Sequence, residues 1–366
     1  MNKKIRVAVG LSGGVDSSVT AALLLEQGFD VIGVFMKNWD DELVRTPIMD
    51  GCTSAEDQED ARKVAKILNM PFHIMHFEKE YWDKVFANFI SEYRRGRTPN
   101  PDVLCNKYIK FGYFLKIAIK ELKVDFIATG HYVRKVKSEK LKVKSYELLA
   151  AVDKNKDQSY FIYALNQKQL AKALFPIGDL TKPEVRELAK KFGLPTADKK
   201  DSQGICFVGE VQLKEFLKQW IKPHKGDIIT IDNKKIGKHD GAEYFTIGQR
   251  HGLNIGGGIP YYVVSKNIRK NIVYVAAGTT HPKLFKKELE VKNINWISGQ
   301  APKFPVKVSA RIRYRQPLQK ATLFKIQDTR YKIRVVFDDP QRAVTPGQSI
   351  VFYDKETMLG GGIIIS

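Results

Sequence analysis

Cysteine is scarce in this chain. The 366 residues hold three, at positions 52, 105 and 206, with no C-x-x-C pair and no Cys/His spacing of a zinc site. A disulfide framework and a zinc site are not expected, and the lack of C-x-x-C argues against an iron–sulfur cluster on the three cysteines without excluding one. Acidic residues are also few, 40 Asp and Glu against 61 Lys and Arg, which leaves a formal charge of +21. That imbalance favours a polyanionic partner, a nucleic acid or a membrane surface. No apolar run approaches membrane-spanning length. Lys3 and Lys4 precede a short apolar run, but the glycines and Asp16 interrupt it too soon for a signal peptide. The expectation is a cytoplasmic protein whose thiols stay reduced unless they are catalytic.

What is present is concentrated first at Gly10–Ser18, GLSGGVDSS. Ile5–Val9 before it reads as a buried parallel strand, and Ser17–Glu26 after it as a helix stopped at Gly28. A glycine-rich turn between strand and helix aims unpaired backbone N–H groups and the positive end of a helix dipole at one point, an anion site. Gly13 and Gly14 permit close approach, and Ser12, Ser17 and Ser18 add hydroxyl donors. Asp16 repels a phosphate unless a cation or a fixed water lies between. The stretch lacks the lysine of G-x-x-x-x-G-K-[ST] and the spacing of G-x-G-x-x-G. It resembles instead the S-G-G-x-D-S loop of the ATP-pyrophosphatase (PP-loop) superfamily. A bare Gly/Ser turn is the plainer alternative, and the flanking strand and helix argue against it.

The first half alternates strands and helices. Strands are expected at Phe29–Phe35, Pro71–Phe77 and Val124–Thr129, and helices at Glu56–Leu68, Tyr81–Tyr93 and Tyr108–Leu122, with a loop over Asp40–Ala55. Arg134–Ala151 reads as a hairpin with a Lys-rich tip, and Thr181–Glu184 as a capping box opening a helix. After a short helix at Val211–Ile221, nearly everything reads as strand and turn. The pattern predicts an α/β fold: an N-terminal doubly wound parallel sheet of the PP-loop type, a small central mostly-β domain and a C-terminal β-barrel. The divisions fall at 1–204, 205–282 and 283–366. The last piece carries 16 Lys and Arg against 7 Asp and Glu. Along Val308–Arg313 apolar Val308, Ala310 and Ile312 alternate with Ser309, Arg311 and Arg313, predicting one apolar and one basic strand face. The basic face, extended by Tyr314, suits a phosphate backbone.

Two cysteines sit in informative surroundings. In GRTPNPDVLCN, Gly96–Asn106, Asn100 suits an N-cap, Pro101 the first helical position and Asp102 the first turn. Cys105 then lies near a helix N-terminus, with Arg94, Arg95, Arg97 and Lys107 close in sequence, a setting that favours a thiolate. A small buried core residue is the other reading of Cys105. Cys206 lies in DSQGICFVG, between Gly204 and Gly209, which suit a mobile segment. Cys52 is read as structural or incidental.

The SGGVDS loop, the two cysteine segments, YFTIGQRHGLNIGG at Tyr244–Gly257 and the glycines Gly360–Gly362 occur in this order. Together they resemble the tRNA-specific 2-thiouridylase family over nearly the whole chain. The resemblance implies ATP-dependent conversion of the wobble uridine of lysine, glutamate and glutamine tRNAs to 2-thiouridine, through adenylation of the uridine C2 oxygen and release of pyrophosphate and AMP. It implies that ATP is held by Gly10, Leu11, Ser12, Gly13, Gly14, Val15, Asp16 and Ser17, with Met36 and Gly130 near adenosine and Mg2+ offsetting phosphate charge. A partner protein would load persulfide sulfur on Cys206, Cys105 would attack that persulfide, and Asp102 would act as general acid/base or orient a water. Asn100, Pro101 and Asp102 would meet the flipped base of the anticodon stem-loop. His131, Lys156, Asp157, Gln158, Arg313, Tyr314 and Gln348 would contact the tRNA. Two other readings stay open: an amidotransferase or ligase of the same superfamily, and a non-catalytic RNA-binding module.

Overall fold

The computed structural model describes residues 4–39, 54–138, 145–200, 213–256, 258–326 and 332–366. Cys52, most of the 40–55 loop, the hairpin tip and the Cys206 segment lie outside the described residues.

The N-terminal sheet is built from β1 (Arg6–Gly10), β2 (Asp30–Lys37), β3 (Phe72–His76) and β4 (Phe126–Ala128). A hairpin of β5 (Val133–Ser138) and β6 (Ser145–Ala150) follows, then the short β7 (Ala173–Leu174). The sheet order is β3-β2-β1-β4-β7, and every neighbouring pair is parallel. Val7, Ala8 and Val9 of β1 are wholly buried, as a central strand covered on both faces requires. Helices α1 (Val15–Glu26), α2 (Ser54–Ile67) and α6 (Lys182–Lys191) contribute to one apolar cluster with Val9, Val31 and Phe35. The long helices α3 (78–94) and α4 (101–121) build the other, with Ala8, Val34 and Ile127. Between them lies the short α5 (Gln167–Leu170).

Helix α4 begins at Pro101, where Asn100-Pro101-Asp102 marks a helix start, and runs without a break into the helix expected from Tyr108. Its turns from Cys105 to Phe114 are of the wide π type, as are those of α3 from Trp82 to Phe86. An extra residue per turn shifts the apolar face, so a 3.6-residue period does not run through these stretches.

Helix α7 (Leu213–Lys218) leads into a four-stranded sheet of β8 (Gly226–Thr230), β9 (Lys235–His239), β10 (Tyr261–Asn267) and β11 (Ile272–Ala277), ordered β10-β11-β8-β9. Six strands complete the chain: β12 (Phe285–Trp296), β13 (Val306–Arg311), β14 (Gln319–Lys325), β15 (Lys332–Arg342), β16 (Ser349–Asp354) and β17 (Thr357–Ile364). They run β12-β15-β14-β13-β16-β17, and β12 pairs with β17 to close the barrel. Its interior holds Val308, Ala310, Ile312, Val335 and Phe352. The β5–β6 hairpin is hydrogen-bonded to β17, Leu149 opposite Thr357 and Leu148 opposite Met358, and so extends the barrel sheet.

The polar face of β13 is not the solvent-facing basic strip expected from its alternation. Arg311 is 8% exposed, its Nη1 lies 3.2 Å from the carboxylate of Asp157, and its guanidinium lies over the Tyr353 ring. Arg313 donates to the carbonyl of Ala343 at 2.8 Å. The 157–161 segment covers this part of the barrel: Ser159 bonds the Tyr353 hydroxyl and Tyr160 donates to the carbonyl of Ser349, both at 2.8 Å. Alternation alone gives which side chains share a face, not what covers it.

Candidate active site

In the order β3-β2-β1-β4-β7 the chain reverses its direction of winding between β1 and β4. Ligands of open α/β sheets bind beyond the carboxyl ends of the strands at such a point. Gly10 ends β1, and Gly130 stands two residues past β4. A Cβ on Gly130 would lie 2.7 Å from the backbone of Asp16 and Ser17, so the two loops are in direct apposition. Met36 Cε would lie 3.0 Å from a Cβ on Gly10, and Phe114 Cε1 3.6 Å. Gly10, Asp16, Met36 and Gly130 are therefore brought together, as expected.

The loop itself is organised from within. Helix α1 has Gly14 at its N-cap with no side-chain cap bond, which leaves its first amides directed outward. Ser12 N donates to Ser17 Oγ at 3.1 Å, and the two hydroxyls lie 3.2 Å apart. Ser17 and Ser18 are both buried, and each gives its hydroxyl to the carbonyl of Gly14, at 3.1 and 2.8 Å. Leu11 and Val15 turn their side chains into the core, so they can meet a phosphate through backbone only.

The cation that Asp16 requires is present in the fold. Lys182 Nζ lies 2.7 Å from Asp16 Oδ1, which also accepts from the Tyr132 hydroxyl at 2.8 Å. Lys182 is the first residue of α6 and is 8% exposed. A lysine at the positive end of a helix dipole is unfavourable by itself. That placement is the signal in the sequence that pointed to an anionic partner, and the capping-box reading passed over it.

Cys105 is wholly buried in the apolar cluster that contains Met36 and Ile127. The cations beside it in sequence have partners of their own. Arg94 donates to the carbonyl of Trp220, Arg95 and Arg97 pair with Glu92, and Lys107 lies over the Tyr108 ring. Pro101 takes the first helical position, but Asn100 at the N-cap makes no side-chain cap bond; it bonds Tyr160 instead. Asp102 lies in the first turn of α4. From Cys105 the helix runs past Phe111, which packs on His131 at 5.8 Å, to Phe114 beside Gly10. Helix α4 thus joins the cysteine to the carboxyl ends of β1 and β4.

The residues expected to contact RNA are divided. Asp157 is 1% exposed, and its Oδ1 accepts from the amides of Ala151 and Ser159; it holds the barrel and is not on a surface. Gln158 is half-buried and accepts from Tyr132 N at 3.0 Å. His131 is buried, 2.8 Å from Thr129 Oγ1; burial and the charge of Lys110 hold its imidazole well below the usual histidine range, so it is neutral. Lys135, counted in the Lys-rich hairpin, points inward to the carbonyls of Leu170 and Ala173, and burial lowers it to about 8. Lys156 is half-buried in the turn before Asp157. Tyr314 packs on Phe161 at 4.6 Å. Arg313 and Gln348 line a cleft of about 390 Å³ with Thr246, Gly248, Gln249 and Thr345, where the middle sheet meets the barrel.

A parallel sheet with a glycine-rich loop at its winding reversal, followed by a small β domain and a closed barrel, defines an α/β protein of the PP-loop class. Residues 5–210 match the family described as tRNA methyl transferase HUP domain, 214–277 the tRNA methyl transferase PRC-barrel domain, and 286–364 the aminomethyltransferase beta-barrel domain. A protein of Streptococcus thermophilus named tRNA-specific 2-thiouridylase MnmA is 51% identical, covering 99% of this chain and 96% of that protein. Proteins of the same name from Listeria monocytogenes (51% identical, 99% and 95% covered) and Alkaliphilus oremlandii (50% identical, 99% and 97% covered) are similar. The chain belongs to the tRNA-specific 2-thiouridylase family.

Proposed function

We propose that this protein catalyses ATP-dependent 2-thiolation of the wobble uridine in lysine, glutamate and glutamine tRNAs. The observation that carries the reading is the apposition of the Gly10–Ser17 loop and Gly130 at the switch between β1 and β4, with Lys182 paired to Asp16. In this reading residues 1–204 perform the chemistry and residues 205–282 and 283–366 hold the RNA. The loop amides and Ser12 and Ser17 bind the ATP phosphates, while Met36 and Gly130 wall the adenosine.

Magnesium fits the site in a limited sense. Among the described residues no three His, Cys, Asp or Glu side chains form a metal cluster. An ion carried on ATP needs only one or two protein carboxylates, and Asp16, 29% exposed beside the loop, is the one to hold it. When bound, the ion offsets phosphate charge.

A carbonyl oxygen is a poor leaving group. Attack of the uridine C2 oxygen on the α-phosphate of ATP expels pyrophosphate and leaves an O-adenylated C2. Sulfur from a Cys206 persulfide, loaded by a partner protein, then adds to C2, and AMP departs with the former uridine oxygen. Cys105 attacks the Cys206 sulfur, displacing either sulfide from the persulfide before it adds to C2 or the C2-bound sulfur after it has added; both routes leave a Cys105–Cys206 disulfide, which an external thiol must reduce before the next turnover. Asp102 shuttles a proton or orients a water. The base reaches the site by leaving the anticodon stack and meets Asn100, Pro101 and Asp102. Lys156, Gln158, Arg313 and Tyr314 are the candidates for contact with the tRNA.

The test is incubation with Mg-ATP, a persulfide donor and unmodified lysine tRNA, followed by nucleoside mass spectrometry. New 2-thiouridine, dependent on ATP and lost in Cys105→Ser and Cys206→Ser, is the expected result. Formation of AMP and pyrophosphate without a thionucleoside would favour the amidotransferase or ligase reading. tRNA binding with no turnover of ATP would favour the non-catalytic RNA-binding module.

A further inference from the structure

The turn that leads into Asn100 is gripped from two other parts of the chain. Thr98, 9% exposed, meets Thr246 of the middle domain through their hydroxyls at 3.0 Å. Its amide donates to the carbonyl of Pro346 in the barrel, also at 3.0 Å. Gln348 Nε2 donates to the carbonyls of Thr98 and Pro99 at 3.1 and 3.3 Å. Gly347, with φ +94°, brings the barrel so close that a Cβ there would lie 2.9 Å from the carbonyl oxygen of Thr98. Ile268 of the middle domain packs on Gly96 at the start of the turn. Three sequence-distant segments therefore converge on residues 96–99, directly before the first turn of α4.

We propose that Thr246 and Gln348 are positioning residues for Asn100–Asp102: each accessory domain supplies one jaw of a clamp that sets the turn, and the geometry offered to the target base exists only while both jaws are closed. The proposal rests on the reading above that Asn100–Asp102 meet the base. It gives Gln348 a different task from RNA contact, because its amide is already committed to two backbone carbonyls. It also gives the middle domain a share in the chemistry. Thr246 lies in the YFTIGQRHGLNIGG stretch, whose other residues place no side chain on the Gly10 loop among the hydrogen bonds described.

The experiment compares the full-length parent with Thr246→Val, Thr246→Ser and Gln348→Leu. It measures tRNA affinity, the rate of thiolation at saturating tRNA, and amide exchange of a peptide covering residues 96–104. Loss of one such hydrogen bond corresponds to about three- to tenfold. The expected result is tRNA affinity within about twofold of the parent, with thiolation slowed and exchange of 96–104 accelerated by about three- to tenfold in Thr246→Val and Gln348→Leu. Thr246→Ser, which keeps the hydroxyl, restores both. If Gln348→Leu instead weakens tRNA binding while exchange and saturated rate stay at parental values, Gln348 is a direct RNA contact and the clamp is wrong. Faster exchange with an unchanged saturated rate also overturns the proposal. If the parent makes no thionucleoside, the functional reading has failed. The clamp then stands or falls on exchange alone: parental exchange in both Thr246→Val and Gln348→Leu would end it. A Thr246→Val protein that melts like the parent guards against misfolding of the glutamine variant.

Discussion

Asp16 and Lys182 are 166 residues apart in sequence, yet the carboxylate and the ammonium meet at 2.7 Å beside the phosphate loop. The pair turns the one acidic side chain of the loop from an obstacle to a polyanion into part of a neutral cradle. Lys182→Met removes that balance at the site where phosphate charge collects. Pyrophosphate release is expected to fall by at least about tenfold, the scale of a charge-assisted hydrogen bond. Lys182→Arg should retain part of the rate. Radiolabelled ATP turnover checks this, and an unchanged rate in Lys182→Met would remove Lys182 from the phosphate site.

Gly130→Ala is expected to damage nucleotide binding. The new methyl would press on the backbone of Asp16 and Ser17 at 2.7 Å, where neither neighbour is a flexible side chain that can swing aside. Gly256→Ala meets nothing within 4 Å and serves as the control. ATP affinity by calorimetry should drop by about tenfold or more in the first, as overpacking costs roughly 1–3 kcal/mol, and stay at the parental value in the second.

Arg311→Met strips the buried Asp157 carboxylate of its counter-charge between the N-terminal region and the barrel. Breaking one side of a buried pair costs about 3–5 kcal/mol. The expected sign is an earlier, separate melting transition of the barrel in scanning calorimetry. Adding Asp157→Asn keeps an acceptor for the amides of Ala151 and Ser159 while removing the stranded charge, so the double variant should recover part of the loss.

Lys135 predicts a stability change with pH. Burial holds it at about 8 in the folded protein, below the ordinary lysine value of 10.5. Between those values the unfolded chain binds more protons than the folded one, so this residue's contribution rises with pH across the window. The penalty is fully present below about pH 8. Urea titrations of the parent and Lys135→Met from pH 7.5 to about 10 should show a steeper upward slope in the parent than in the variant, where Lys266, also lowered by burial to about 8, still contributes. Parallel slopes would contradict the burial of the ammonium.

The parts of the site legible in the sequence were those written in contiguous residues. The β1–loop–α1 unit needs only Val7–Val9, the glycines and the helix that follows, so its geometry was set locally. The helix start at Pro101 was visible in Asn100-Pro101-Asp102 for the same reason. Lys182 was not recognised, because its function depends on α6 ending up beside α1, a tertiary fact. Arg311 was assigned to the wrong environment because a strand's alternation does not record the Asp157 segment that later covers it. Gln348 was singled out by resemblance, and only the fold reveals that its amide faces Thr98 and Pro99. The cations near Cys105 were read from proximity along the chain, which does not record that Arg94 engages the carbonyl of Trp220 and that Arg95 and Arg97 engage Glu92.

The pairing of β17 with both β12 and the inserted β6 has a consequence for the order of events during synthesis. The hairpin is made early, yet the outer edge of β6 stays open until residues 357–364 have left the ribosome. One late strand then performs two closures, sealing the barrel against β12 and covering the hairpin edge at Leu148 and Leu149. A nascent chain halted before that strand carries an unpaired strand edge from each of two regions, the kind of surface that pairs between molecules. Completion of the last strand is thus the step that makes the assembled protein safe from its own copies.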